Sequence, residues 1–332
     1  MDPLSQGLAG AVVPQSFSAK KEMVAASIAG FVAGMLADLD ILIYSAEDPL
    51  LSLEYHRHFS HALIFIPIGG LIAALLVWPF LKQRYAFPKI LLFSTAGYAT
   101  CGLLDACTSY GTHLLWPFSD QRVSWDNIAI VDPVFTGILG LMVGLSFFKK
   151  DPLFARIGLA FAILYLLAGA VQRERAEGVL LETAKSRGHS VESIRMMPTV
   201  FNLVLWRGIY ESGGNFHVDA VRVGIFSGVK IYPGESVKKF QPDDFFPGLP
   251  KDSVLYRDIK RFTHFSGGFA ALHPDNPRVL GDIRYSLLPH RLEPLWGIEI
   301  SPEARDRHVP LIYFRSFDRK TLEIFLNMLR GV

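Results

Sequence analysis

Two carboxylates and three imidazoles stand close together in the sequence, between two strongly apolar segments. They are Asp38, Asp40, His56, His58 and His61. Ionisable groups beside membrane-length apolar runs are costly unless they pair, bind an ion or face a wet cavity, so this stretch predicts a functional site. Imidazole nitrogens and carboxylate oxygens are ligands of zinc and related divalent ions, which makes a metal site the leading interpretation.

Spacing alone leaves the choice of histidines open. His56 and His61 are five residues apart and would not share a helix face, whereas His58 and His61 would. If a helix begins at Ser60, however, His56 lies in the preceding loop, and the requirement that it share a helix face with His61 no longer applies. The competing interpretation is that the two aspartates are helix-end and turn residues and that the histidines snorkel to the membrane interface.

A third aspartate lies near the end of a separate apolar segment. Cys101, Asp105 and Thr108 follow the i, i+4, i+7 pattern of one helix face. That face could point at the site. Equally, Asp105 could form a local hydrogen bond with Thr108 or the neighbouring backbone.

Composition divides the chain of 332 residues into two parts. Half of the residues are hydrophobic and 19% are charged, and the apolar excess falls almost entirely before about residue 171. We therefore predict a transmembrane helical domain over 1–171 and a soluble domain over 172–332. The formal charge of +2 argues against a nucleic-acid partner.

The apolar segments predict a multi-pass α-helical membrane domain. We expect two short helices first, then membrane spans, with Ser60 as a plausible N-cap of the first span and a helical hairpin at the end. In chain order the segments are Leu4–Val13, Met23–Leu36, Ala62–Leu81, Ile90–Thr108, Pro133–Phe148 and Leu153–Val171.

The basic residues orient these spans. Alternate spanning places eight of them in turns on one side, which the positive-inside rule makes cytoplasmic. The candidate site and the domain after Gln172 then lie on the external side. The eight are Lys20, Lys21, Lys82, Arg84, Lys89, Lys149, Lys150 and Arg156.

The second half predicts a mostly β (α+β) domain. Asn202–Tyr210 and Phe216–Ile225 are rich in β-branched and aromatic residues, and the Gly-rich link between them indicates a hairpin. Gln172–Arg187 and Arg319–Arg330 predict helices at the two ends of this domain.

Several motifs together resemble those of bacterial inner-membrane proteins described as membrane-bound, metal-dependent hydrolases. Pro198, Asn202 and Trp206-Arg207 extend the resemblance into the second half. The motifs are Gly34 to Asp40, His56-Arg57, Ser60-His61, Leu104-Asp105, Thr108 to Thr112 and Trp116 to Ser119. The resemblance implies a divalent metal, zinc favoured, on Asp38, Asp40, His56, His61 and Asp105, with Arg57 and Thr108 as neighbours.

Two departures from the family pattern concern the metal. Ser5-Gln6 replaces a Thr-His pair, and Cys101 stands where a histidine is common. The resemblance implies hydrolysis of a membrane lipid, lipid-linked or envelope substrate through a metal-activated water. The alternatives are a non-catalytic ion-binding or transport protein, and a structural or sensor protein whose metal only holds helices together.

Overall fold

The computed structural model describes residues 1–225, 228–314, 316 and 318–332. The chain divides into two compact units. The first comprises Met1–Leu42, Tyr55–Val171 and Val200–Asn202, and the second comprises Ile43–Glu54, Gln172–Thr199 and Leu203–Val332. The helices of the first unit and the sheets of the second confirm the predicted fold class of a helical membrane domain followed by a mostly β soluble domain.

Six helices build the first unit, joined by short 3₁₀ turns. Four candidate membrane spans, Lys20–Leu42, Leu63–Leu81, Phe87–Ala106 and Pro152–Ser186, are long and apolar enough to cross a bilayer. The helices are α1 (Pro3–Phe17), α2 (Met23–Leu36), α4 (Ile66–Leu81), α5 (Phe87–Ala106), α6 (Pro133–Lys149) and α7 (Pro152–Ser186), and the short α3 (Leu51–Tyr55) lies between α2 and α4.

Three helices cross at glycines in the centre of the first unit. A Cβ placed on Gly10 would lie 2.4 Å from the Gly30 carbonyl oxygen, and one on Gly97 would lie 2.6 Å from the same atom. Glycine therefore allows the backbones of α1, α2 and α5 to touch, as small residues do between membrane helices. This close packing fixes the ends of α2 and α5, which carry the candidate ligands.

The expected N-cap role of Ser60 is wrong. The helix of this span begins at Ile66, after two 3₁₀ turns at Phe59–His61 and Leu63–Phe65. Ser60 instead donates its hydroxyl to the Asp40 carboxylate at 2.8 Å. The separate helices expected on either side of Gln172 form one continuous helix, α7.

The basic turns gather at one end of the helical unit. Lys89 pairs with Glu22 at 3.3 Å, and the Tyr85 hydroxyl donates to the Lys21 carbonyl. Arg156 donates to the Ser16 carbonyl at 2.9 Å. Since α2 and α5 both start at this end, their other ends, with Asp38 and Asp105, lie at the opposite end.

Two four-stranded antiparallel sheets form most of the second unit. The first has the order β1-β2-β3-β4 and the second the order β5-β6-β7-β8. The predicted hairpin is confirmed as β2 and β3, joined at Gly213 and Gly214. The strands are β1 (Ser193–Pro198), β2 (Leu205–Ser212), β3 (Asn215–Val223), β4 (Val229–Lys238), β5 (Ala270–His273), β6 (Asn276–Asp282), β7 (Trp296–Glu299) and β8 (Leu311–Tyr313).

Besides the C-terminal half of α7, three further helices lie after the first sheet in the described part of the second unit. They are α8 (Pro242–Phe245), α9 (Val254–Phe265) and α10 (Arg319–Arg330). The last one has the bounds that its amphipathic pattern predicts. Phe325 and Met328 on α10 are buried in a cluster with Leu205 of β2.

The segment between the two halves of the candidate site belongs to the second unit. Leu50 is fully buried in the cluster that contains Phe262 of α9. Arg261 of α9 pairs with Asp48 at 2.9 Å and with Glu54 at 2.8 Å. One guanidinium thus holds both sides of this segment, because its planar fork can bind two carboxylates at once.

We expect Arg261→Met to destabilise the second unit by about 2 to 3 kcal/mol, because partly and fully buried carboxylates lose their guanidinium partner. Asp258, a third partner of Arg261, has 1% of its side chain exposed. Denaturant unfolding of the full chain in detergent measures the change.

The matched control is Arg278→Met, since Arg278 is 69% exposed and lies 3.9 Å from Glu303. It should change stability by less than about 0.5 kcal/mol. Equal effects of the two substitutions would contradict an anchoring role for Arg261.

Candidate metal centre

Three separate elements bring one candidate ligand each to a single point. Asp38 lies in the 3₁₀ turn after α2, His61 ends the turn before α4, and Asp105 lies in the last turn of α5. His61 Nε2 is 3.3 Å from Asp38 Oδ1 and 3.0 Å from Asp105 Oδ2. One donor atom from each residue lies within 4.8 Å of the other two, which is the spacing of ligands around one ion.

The donor atoms of this triad are buried but lack hydrogen bonds. Among the described residues, neither Asp38 oxygen accepts a hydrogen bond, and neither His61 Nε2 nor Asp105 Oδ2 makes one of good geometry. Buried polar atoms are nearly always satisfied, so a convergent group of exceptions requires an explanation. Coordination of a metal ion would satisfy all of them together.

Asp40 lies behind the triad and orients it. Its Oδ2 accepts hydrogen bonds from the Arg57 backbone N–H and the Ser60 hydroxyl, both at 2.8 Å. The same oxygen lies 3.2 Å from His61 Nδ1. A carboxylate that accepts the Nδ1 proton of a histidine directs its Nε2 lone pair towards a metal.

His56 lies on the other side of Asp40. Its Nδ1 is 2.8 Å from Asp40 Oδ1, and its side chain is 26% exposed. The structure thus places two of the five expected ligands, Asp40 and His56, outside the triad. They form a carboxylate–imidazole pair adjoining the ligand His61.

Arg57 and Thr108 are neighbours of Asp105. Arg57 Nε lies 3.0 Å from Asp105 Oδ2, and its Nη1 donates to the Thr108 hydroxyl at 2.9 Å. Thr108 in turn donates to the Asp105 backbone carbonyl. The Arg57 backbone has a φ of 60°, and its carbonyl accepts hydrogen bonds from Thr112 and from the His113 N–H.

The two positions that depart from the family pattern lie beside the site. The Cys101 thiol is buried and donates to the Gly34 carbonyl at 3.1 Å, so it points at the α2 backbone. The Gln6 amide donates to the Cys101 carbonyl at 3.5 Å. In the described part of the chain, Gln6 Oε1 is a further buried oxygen with no hydrogen-bond donor.

His58 and His113 form a separate aromatic cluster. Their ring centroids lie 4.7 Å apart, and the Trp116 ring lies 5.6 Å from His58. Sequence spacing had allowed His58 to share a face with His61. The 3₁₀ turn at Phe59–His61 directs the two rings to different neighbours.

Two residues that sequence reasoning missed hold His61 in place. A Cβ on Gly102 would lie 2.1 Å from the His61 carbonyl oxygen, so only glycine allows this approach. The Tyr98 hydroxyl donates to the Ser60 carbonyl at 2.7 Å. The sequence contained a signal for these two residues. A polar aromatic residue and a glycine lie on one face of an apolar helix, both within two turns before Asp105.

The electrostatics of the site favour a cation. The carboxylates of Asp38, Asp40 and Asp105 outnumber the cationic groups that contact them, Arg57 and the Met1 amino group. Burial opposes a charge on His61, yet the carboxylates around its ring raise the pKa of His61 to about 10, so a positive charge is favoured at this point. The residues present therefore fit a divalent metal ion. The ion would coordinate the buried atoms that lack hydrogen bonds and would balance the excess negative charge.

A second group of possible ligands lies in the second unit. Asp48, Asp258 and His308 have donor atoms within 4.8 Å of one another. Here the carboxylates already have partners, because Arg261 pairs with Asp48 and Asp258, and His308 Nδ1 lies 2.9 Å from Asp258. This group is a satisfied ion-pair network.

Comparisons with known proteins agree with a membrane protein. The sequence model of the YdjM inner membrane protein family matches residues 1–176, which is more than half of the chain and includes every candidate ligand. The inner membrane protein YbcI of Escherichia coli (strain K12) is 29% identical over 109 residues, which make up 31% of this chain and 60% of that protein. No solved structure matches the chain.

We expect Arg57→Lys to lower stability by about 2 kcal/mol, because a single ammonium cannot bind Asp105 and Thr108 together in the geometry of the guanidinium fork. The substitution preserves the charge, so the loss reports the hydrogen-bond geometry. Thermal unfolding in detergent measures it.

Arg84→Lys is the control, since Arg84 is exposed in the turn after α4. It should leave the unfolding midpoint unchanged. A wild-type midpoint for Arg57→Lys would show that the fork does not stabilise the site.

Proposed function

The chain belongs to the YdjM inner membrane protein family, and from this premise we propose that it is a metal-dependent hydrolase of the inner membrane. The observation that carries the proposal is the convergence of Asp38, His61 and Asp105, with buried donor atoms that lack hydrogen bonds. Three protein ligands and an open position are typical of catalytic zinc sites. A closed structural site would use four.

The ion is a divalent cation, with zinc favoured. Two carboxylates and one imidazole supply a mixed oxygen and nitrogen donor set that suits zinc and its neighbours in the first transition row. A bound ion would act as a Lewis acid on the scissile phosphoryl or acyl group and lower the pKa of a coordinated water.

His56 would serve as the proton acceptor beside this centre. Its Nδ1 is hydrogen-bonded with Asp40, so its Nε2 is the nitrogen that can take up a proton, and Asp40 stabilises the resulting imidazolium. Its partly exposed ring can then pass the proton to solvent. Glu54, another candidate base, has its carboxylate engaged with Arg261.

The position of the ligands supports an enzyme at one face of the membrane over a transporter. Asp38 and Asp105 lie at the ends of their candidate spans, and His61 directly precedes another. A transport site is expected near the bilayer midplane with access from both sides. The site proposed here lies at one end of the helical unit.

The basic turns orient the protein in the membrane. Since they gather at the end opposite to the ligands, the positive-inside rule places the site at the external face of the inner membrane. Helix α7 runs from the basic end to the ligand end, where a Cβ on Gly169 would touch the Asn127 carbonyl. The soluble domain that begins at Gln172 is therefore extracytoplasmic, and the substrate is a lipid-linked or envelope molecule.

The first test is metal analysis of the purified full-length protein. We expect about one divalent ion per chain in the wild type and loss of the ion in Asp38→Asn and His61→Gln, because each removes one of three protein ligands. Asp40→Asn should weaken metal affinity about 10- to 100-fold, as loss of an orienting carboxylate does. His58→Gln is the matched control and should retain the ion.

Activity is tested with phospholipids and phosphorylated lipid carriers, with the metal present and after chelation. His56→Gln should retain the ion and lose about 10²- to 10⁴-fold in turnover, the usual contribution of a general base. Full metal retention in Asp38→Asn and His61→Gln would reject the ligand set. Metal binding without metal-dependent turnover of any of these substrates would favour an ion-binding or structural role.

A further inference from the structure

The helical unit contains an apolar cavity of about 250 Å³, which is large enough to hold a small hydrocarbon. It lies between α1, α5, α6 and α7. A larger cavity, of about 550 Å³, lies in the second unit and is lined by charged and polar groups as well as apolar ones. The smaller is lined by Ala9, Val12, Val13, Thr100, Leu103, Leu104, Cys107, Trp125, Phe135, Leu139, Leu159, Ala162, Ile163 and Leu166.

The lining of this smaller cavity offers nothing to a polar ligand. The Thr100 hydroxyl donates to the Gly97 carbonyl at 2.8 Å, and the Cys107 thiol donates to the Leu103 carbonyl at 3.4 Å. Both polar groups are thus bonded to their own helix. No ionisable carboxylate, amine or guanidinium belongs to the lining among the described residues.

The cavity opens on the side of the helices that a bilayer would surround. Leu103 and Ile163 flank it and are 45% and 51% exposed, while Phe135 and Leu139 form its buried floor. An apolar cavity excludes water, and one of about 150 Å³ is enough to bind a small hydrocarbon. At this depth in a membrane the available hydrocarbon is a lipid acyl chain.

The cavity reaches the last turn of α5, which also carries Asp105. Leu104 and Cys107 line the cavity, and the candidate ligand Asp105 lies between them in the sequence. From Thr100 to Cys107 the helix rises about 10 Å, so the cavity follows the last two turns before the ligand. Trp125, whose backbone N–H donates to the Ala106 carbonyl, lies near the end of α5 that carries Asp105, and aromatic residues often mark the membrane interface.

We propose that this cavity holds one acyl chain of the substrate, and that the substrate is a membrane lipid with its hydrolysable bond beside Asp105. This inference rests on the proposed function as far as the hydrolytic reaction is concerned. Binding of the acyl chain, however, can be measured without any reaction. It excludes a water-soluble envelope molecule as the substrate, because such a molecule has no apolar chain for the cavity to bury.

The probe is phosphatidylglycerol with a nitroxide near the methyl end of one acyl chain, added to the full-length protein in detergent. We expect a motionally restricted lipid in the paramagnetic resonance spectrum of the wild type. Ala162→Phe fills the cavity and should weaken this binding about tenfold, as loss of burial of about two methylene groups predicts.

Ala160→Phe is the matched control, because Ala160 is on the same helix but exposed, whereas Ala162 is 8% exposed. It should keep the restricted lipid. Ala9→Leu fills the cavity from α1 and should weaken lipid binding as Ala162→Phe does. It serves as a second filling variant in case Ala162→Phe does not fold, and thermal unfolding of all variants shows which of them are folded.

The metal content of the same samples separates the two proposals. If both filling variants lose the motionally restricted lipid and Ala160→Phe keeps it, the result supports acyl-chain binding in the cavity. This holds whether or not the wild type carries metal. Metal in the wild type, with restricted lipid unchanged by both filling variants, overturns the acyl-chain inference and leaves the metal site standing.

Discussion

The fully buried carboxylate of Asp105 is the constraint on which the helical unit depends. A charge without solvent contact is stable only when it is paired and hydrogen-bonded, so its neighbours must be brought to it from elsewhere in the chain. Arg57 approaches in a left-handed backbone conformation that the loop after α5 holds by hydrogen bonds to its carbonyl. Gly102, one turn earlier on the same helix, makes room for the backbone of His61.

The site is organised in two layers. The inner layer presents donor atoms of Asp38, His61 and Asp105 to one point, and the outer layer fixes their orientation through Asp40. Because Asp40 contacts both His56 and His61, it couples the residue that would take up a proton to a residue that would hold the ion.

The stretch between the two halves of the site has a structural task of its own. Ile43–Glu54 joins the second unit, where Leu50 enters a hydrophobic core and Arg261 binds two of its carboxylates. This explains why an acidic segment stands between the two groups of candidate donors in the sequence. Its charges neutralise an arginine, so they do not serve the candidate metal centre.

The sequence alone determined the apolar spans, the hairpin of β2 and β3, the closing helix α10 and the group of candidate donors, since apolar length, periodicity and turn residues are local properties. It could not decide which donors converge. Asp38 and Asp40 are two residues apart and equivalent in type, but the turn after α2 directs Asp38 to Nε2 of His61 and Asp40 to its Nδ1. Ser60 looked like a helix cap because capping residues have a local signature, yet tertiary contacts made it a partner of Asp40. Only the packing of α1, α2 and α5 brings Asp38, His61 and Asp105 together, because distances between remote residues depend on how helices cross and not on their spacing in the chain.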